Sequence, residues 1–348
     1  MPDVVPPRDL APADASRDAR PRAVIPPRAR LRPARAGLAL GAAAALAGWP
    51  LVVTRDFYVH VAILILINVI GALSLNLLMR AGLLSFAHSA FMAVGAYTSV
   101  LLMMRASLPF PLAFAAAGLV PGLIALALGP VLLRLKGVYF VLVTFALGEI
   151  VRLIFVNWIS VFGGSNGIYG IPAAALPLPG GTVAVTSKFA AYLLTAAVTV
   201  AAVALVARIC RSEMGRALHT IAEDELLAES LGIATVRYKV VAFVVGAVLV
   251  GFGGSLYAHY IRYISPGDFT WRISLDFIVI NVVGGMHSIA GPVLAAAFIV
   301  ALPEFLRHAV QYQWILYSVI LILVLAFLPE GLADLPRRFR AARRRFVG

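Results

Sequence analysis

Apolar stretches recur along the chain with polar joints between them, at 37–54, 59–79, 84–104, 111–133, 138–157, 188–208, 239–261, 275–288, 290–307 and 313–328. A membrane-crossing helix needs about 20 mainly apolar residues, because each adds about 1.5 Å against a hydrocarbon core of about 30 Å. The pattern predicts an all-α, polytopic integral membrane protein with about ten transmembrane helices. Segment 275–288 is short and carries Gly284 and Gly285. It reads either as a crossing or as a broken, re-entrant helix, which is tolerated only where protein or a water-filled cavity covers its free backbone groups.

Between 208 and 239 the apolar pattern stops and residues 211–239 read RSEMGRALHTIAEDELLAESLGIATVRYK. Thr220 and Glu223 stand at capping-box spacing and predict a helix start there. Glu223, Asp224 and Glu225 then fall in the first turn, where the helix dipole favours negative charge. Gly232 sits where a left-handed residue would close the helix. About three turns are too few for a stable isolated helix. With Leu226, Leu227 and Leu231 on it, the helix needs something to dock against, either the protein's own loops or the groove of a soluble partner.

Of the 348 residues, 61% are hydrophobic and 13% charged, too few charges for a soluble globular chain. The net charge of +13 is concentrated at the ends. Residues 1–36 hold eight Arg against four Asp, and residues 333–348 six Arg against Asp334. The positive-inside rule therefore puts both termini in the cytoplasm near anionic lipid. Inward joints then carry Arg80, Arg134, Lys136 and the 211–239 island, and outward joints Arg55, Arg105, Lys188, Arg262 and Arg272. No aromatic-interleaved basic motif supports nucleic-acid binding. The single Cys210 excludes an internal disulfide and has no metal-ligand spacing. The expected organisation is a disordered basic tail over 1–36, a membrane domain over 37–332 and a basic tail over 333–348. The turn-rich loop 158–187 should be an ordered external cap or docking surface.

Residues 82–98, GLLSFAHSAFMAVGAYT, cluster polar and small side chains at the start of a span. Ser85, His88 and Ser89 fall within about one turn, and Ala87, Ala90, Ala93, Gly95 and Ala96 permit close backbone approach. They read either as a tightly packed helix with back-bonded hydroxyls or as the lining of a polar pathway. Glu149 and Arg152 share a helix face as a structural ion pair or a gate. Asn68, Asn76 and Asn281 suit interhelical hydrogen bonds. No H-E-x-x-H, G-x-S-x-G or Walker A sequence is present, so no catalytic residue, cofactor or metal is expected.

The 82–98 block resembles the G-x-L-S-F-G-H-A-x-F-x-x-x-G-A-Y-T signature of branched-chain amino-acid permeases, the membrane subunits of ABC importers. The resemblance continues through RLKGVYFVLVTFALGEIVRLI (134–154), GGSNGIYGIP (163–172), GRAL with EDELLAESLGI in the island, VVGGMHSIAGPV (282–293) and LPEGL (328–332). The 134–154 block is similar to the longer, M-type permease. It implies an inner-membrane core made with a second permease subunit, two cytoplasmic ATP-binding subunits and a periplasmic solute-binding protein. In that family the island is the ATPase-coupling loop. Glu223, Asp224, Glu225, Ala228, Glu229 and Gly232 match its pattern, with Leu227 and Leu231 as apolar anchors and Thr220 and Leu226 beside them. The candidate translocation pathway is Ser85, His88, Thr144, Glu149, Asn281, Gly284 and Gly285. Ala87 and His287 depart from the pattern, each replacing a glycine. Related permeases carry urea, short amides or other small polar solutes. An ion-coupled secondary transporter would call for paired intramembrane carboxylates or inverted repeats.

Overall fold

Length and composition set the first element: α1 (Asp56–Met79) is 24 residues of almost unbroken apolar sequence, with no apolar face distinct from a polar one. A helix apolar all round belongs inside a bundle or a membrane, and 78% of the α1 apolar window is buried by the rest of the chain. The computed structural model describes residues 56–178 and 181–306, together with Ile315, Leu316, Ser318, Val319, Ile322 and Ala326. The expected tails, the span 37–54 and most of 313–328 lie outside the described residues.

Around α1 come α2 (His88–Arg105), α3 (Phe110–Leu132) and α4 (Gly137–Asn157). After an irregular excursion follow α6 (Lys188–Cys210), two short helices, and α9 (Thr235–Ile261). Five of these helices, α1, α3, α4, α6 and α9, are long and apolar enough to cross a membrane. α9 packs along α3, α2 and α1 and forms the second axis of the bundle. By contrast only 17% of the α4 window is buried.

The close α2–α9 crossing follows from glycine. A β-carbon on Gly254 would overlap the Met92 carbonyl oxygen, and one on Gly95 would overlap the Gly251 backbone. Pro121 of α3 has no N–H to give to the Ala117 carbonyl, and that oxygen lies against Gly251. Gly254→Ala is expected to cost about 1–3 kcal/mol through overpacking, read as a lower thermal midpoint of the lipid-reconstituted protein.

Joints 80–87, 133–136 and 211–234 meet at one end of the bundle, the island end: Lys136 reaches Glu225, and Gly82 faces Ala222. At the opposite end the described residues of the 158–187 loop form short elements. It holds α5 (Ile159–Phe162), a 3-10 turn at Gly164–Asn166, β1 (Ile168–Tyr169) and a hairpin of β2 (Ala175–Leu178) with β3 (Gly181–Ala184). Arg105 donates to the carbonyls of Ser160 and Val161 at 2.7 and 2.8 Å. Lys188 pairs with Asp56 at 2.8 Å.

In two places the structure departs from the sequence reading. The span expected from residue 84 becomes helical only at His88, so Leu83–Ala87 enters the bundle as irregular chain. The weak span at 275–288 is α10 (Trp271–Gly284), whose 14 residues reach about 21 Å, short of a full crossing. Gly284 and Gly285 end this helix rather than interrupt it. It is preceded by β4 (Tyr263–Ile264), antiparallel to β1, and by a 3-10 turn at Pro266–Phe269 capped by Ser265 and Asp268. α11 (Ala290–Phe305) then turns back beside it. Arg272 accordingly lies in the first turn of α10 and not in an outward joint.

Candidate functional site

The two irregular segments meet. The Phe86 N–H donates to Thr144 Oγ1 of α4 at 3.2 Å, and the Ser274 hydroxyl of α10 donates to the Phe86 carbonyl at 2.8 Å. Ser274 Oγ also accepts the Ser89 N–H at 2.9 Å, capping the uncapped start of α2 from another helix. Within the segment, Ser85 Oγ accepts the Ala87 N–H at 3.2 Å. The physical reason is the solvent: non-helical backbone at membrane depth must find its partners within the protein. The depth follows from Phe277, whose ring lies against Gly71, eight residues and about 12 Å before the end of α1. Ser274→Ala would strand the Ser89 N–H and remove one donor to Phe86. A loss of about 1–3 kcal/mol is expected, with faster hydrogen exchange confined to residues 85–90.

His88 is not part of this junction. Its ring is fully buried between Ser74 and Gly246 and sits 6.4 Å from Phe91. Among the described residues neither ring nitrogen has a hydrogen-bond partner.

A second cluster closes the far end of α10. Asn76 Nδ2 donates to Asn281 Oδ1 at 2.8 Å and to the Met286 carbonyl at 2.9 Å. Asn281 Nδ2 donates to the Ala72 and Phe277 carbonyls, both at 2.8 Å. Arg80 donates through Nε to Asn76 Oδ1 at 2.8 Å and through Nη2 to the His287 carbonyl at 2.7 Å. Gly285, at φ 96°, turns the chain, and Gly284 packs against Gly291 and Pro292 with no room for a side chain. Asn76 and Asn281 thus make the interhelical bond expected of them, whereas Asn68 bonds back to Leu64 of its own helix at 2.9 Å. His287 is exposed, its ring 5.4 Å from that of His219 at the island end. Ala87 is fully buried beside the first junction. Glu149 stands apart from both clusters, paired with Arg152 at 2.7 Å.

The island folds differently from its capping-box reading. Thr220 and Glu223 close α7 (Glu213–Glu223) rather than open a helix, and the Thr220 hydroxyl donates back to Arg216. The cap belongs to Asp224, whose Oδ1 accepts the N–H groups of Leu226 and Leu227 at 2.9 and 3.0 Å. It starts α8 (Glu225–Ser230), six residues instead of three turns. Two capping signals, Thr220 and Asp224, stand four residues apart, and the one whose helix is already formed loses. The expected stop holds: Gly232, at φ 82°, donates to Glu229 O while Ile233 donates to Ala228 O, the paired bonds of a left-handed helix end.

Only one side of α8 is engaged. Ala228 is fully buried, and Glu229 accepts from Thr235 Oγ1 at 2.8 Å. Lys239 Nζ, 2% exposed, lies 2.6 Å from Glu225, and Lys136 Nζ lies 3.5 Å from it. Burial pushes the Glu225 carboxyl up, but the Lys239 hydrogen bond and charge, aided by Lys136, outweigh that and hold it below its ordinary value. On the other side Leu226, Leu227 and Leu231 are 70, 54 and 68% exposed.

Ser274, Arg80, Lys239 and Asp276 were not singled out in the sequence. Asp276 lies inside the stretch 275–288 and drew no separate reading. The other three matter through partners more than 100 residues away or across the island.

A family model described as branched-chain amino acid transport system / permease component matches residues 57–328. The high-affinity branched-chain amino acid transport system permease protein LivM of Salmonella typhimurium is 33% identical over 309 residues, covering 83% of this chain and 72% of that protein. LivM of Escherichia coli matches to the same extent. The corresponding LivH protein of Escherichia coli is 32% identical over 128 residues, 36% of this chain and 41% of its own. No solved structure matches the chain.

Proposed function

This chain belongs to the branched-chain amino acid transport permease family, and from that premise we propose that it is the M-type subunit of an ATP-driven importer of leucine, isoleucine and valine. It is a multi-pass membrane protein; in this reading the island end faces the cytoplasm and both termini lie there. Residues 37–332 form the permease domain, flanked by the basic tails 1–36 and 333–348. A second permease subunit completes the membrane core, a solute-binding protein delivers the ligand to the 158–187 side, and two ATP-binding subunits sit below.

The observation that carries the coupling role is the division of α8: one side bonded to α9 and Lys136, the other presenting three exposed leucines. Exposed leucines at an aqueous surface favour an occupant, and an ATPase groove supplies one. Ser85, Thr144, Asn281, Gly284 and Gly285 line or hinge the translocation path at the two breaks in regular helix. His88 acts behind it as a packed pivot, and Glu149 is held to its helix by Arg152. Docked partners drive the cycle because they bind outward- and inward-facing states unequally.

The test is ATPase stimulation of the reconstituted four-component complex by its binding protein loaded in turn with leucine, isoleucine, valine, urea and short amides. Stimulation by the branched-chain amino acids supports both transport and substrate class. Stimulation by urea or an amide alone would replace the substrate and retain the architecture. ATP-independent uptake driven by a proton gradient would remove the ABC reading.

A further inference from the structure

Asp276 and Arg272 have no role in the junctions above. They stand four residues apart on α10 and therefore on one helix face. Both are exposed on the chain's own surface. Among the described residues neither makes a hydrogen bond or a close ion pair; the Arg272 guanidinium stands 5.9 Å from the centroid of the Trp271 ring and acts on Asp276 only through its field. The neighbouring Phe277 packs on Gly71, about 12 Å inside the end of α1, so this face lies within the hydrocarbon layer. Charged side chains at that depth do not face lipid; they front a polar path or a partner. The surrounding surface is apolar: Trp271 and Leu275 are 39 and 38% exposed, and Phe145 of α4, also 39% exposed, has its ring 6.3 Å from that of Trp271.

We propose that Arg272 and Asp276 form a recognition site for the zwitterionic head of an aliphatic α-amino acid, with Asp276 taking the ammonium, Arg272 the carboxylate, and Phe145, Trp271 and Leu275 the side chain. Cβ atoms one turn apart on a helix are about 5–6 Å from each other. Two flexible charged side chains at that spacing can bridge a head group whose opposite charges sit on adjacent atoms. The charge-assisted hydrogen bonds would offset the cost of drawing a zwitterion out of water. The head group in turn gives each charge a hydrogen-bonding partner, which neither has among the described residues. A solute lacking either charge would strand one of them. The site rests on the transport reading and extends it, because selectivity would then reside partly in the membrane subunit.

The experiment uses the assembled complex in lipid nanodiscs. Cys210 is the chain's only cysteine, so a Cys210→Ala background makes single-cysteine reporters clean. Asp276→Cys is expected to react with a cationic methanethiosulfonate reagent at least tenfold faster than Leu123→Cys on the exposed apolar face of α3. Leucine at millimolar concentration should slow that reaction, on the residual Arg272 contact, more than isobutylamine, which lacks the carboxylate. Asp276→Asn should lower leucine uptake at least tenfold, and Asp276→Glu should recover it to within about threefold of wild type. A cysteine that is unreactive, a variant that transports normally, or an Asp276→Asn chain that no longer co-purifies with the second permease would each overturn the site, the last by making it a subunit contact. A wild-type complex that takes up no branched-chain amino acid would instead sink the transport reading, a separable result.

Discussion

Leu227→Glu and, independently, Leu231→Glu are expected to abolish substrate uptake while the protein inserts and accumulates normally. The two residues belong to the exposed side of α8 and its cap, 54 and 68% exposed respectively and outside the buried core of the described residues. Their loss therefore removes no core contact, and surface changes of this kind usually move stability by less than about 0.5 kcal/mol. If an ATPase groove receives them, a carboxylate in that groove must be desolvated without a counter-charge. A penalty of several kcal/mol lowers complex formation by orders of magnitude. The checks are co-purification of the ATPase subunits and uptake in proteoliposomes at matched protein levels. Wild-type uptake by either variant would end the coupling assignment.

Lys239→Met should uncouple from the other side. Lys239 is 2% exposed in the first turns of α9, and Glu225 of α8 is its partner at 2.6 Å. Removing one member of a buried pair typically costs about 3–5 kcal/mol because the other is left desolvated. The lower end applies here, since Lys136 remains 3.5 Å from Glu225. The expected result is α8 released from α9 at neutral pH, seen as fast hydrogen exchange over 225–233, with uptake lost although Leu227 and Leu231 are intact. Lys239→Arg should preserve both. In the wild type the same release should come with acid. Glu225 is held below its ordinary value in the fold. Its stabilising contribution is therefore present above the unfolded value and disappears as pH falls through the depressed one, below the ordinary carboxylate range. Protection of 225–233 already lost at neutral pH, or retained in strong acid, would remove Glu225 as the anchor of α8.

These predictions lean on the segments where sequence and structure part company. The long spans were legible because twenty apolar residues in a row have few other fates, and α1, α3, α4, α6 and α9 lie within a few residues of their expected bounds. Gly232 was legible because a left-handed helix end is a local event. The capping box at Thr220 was misread because Asp224, four residues on, offers a competing cap, and spacing alone does not say where the preceding helix stops. Arg272 was misplaced because hydropathy registers how apolar a segment is, not where its helix starts.

By itself, then, the chain determined what depends on neighbours in sequence: the membrane class, the five long spans, the polar island and the family. Tertiary structure alone decided which hydroxyls satisfy the backbone of Phe86, that Asn76 pairs with Asn281 across 205 residues, that Lys239 anchors α8, and that α10 begins inside the bundle. The reason is common to all four. In a low-dielectric interior an unpaired polar group is costly, and when partners lie far apart in sequence, only the folded packing of the helices selects which ones meet.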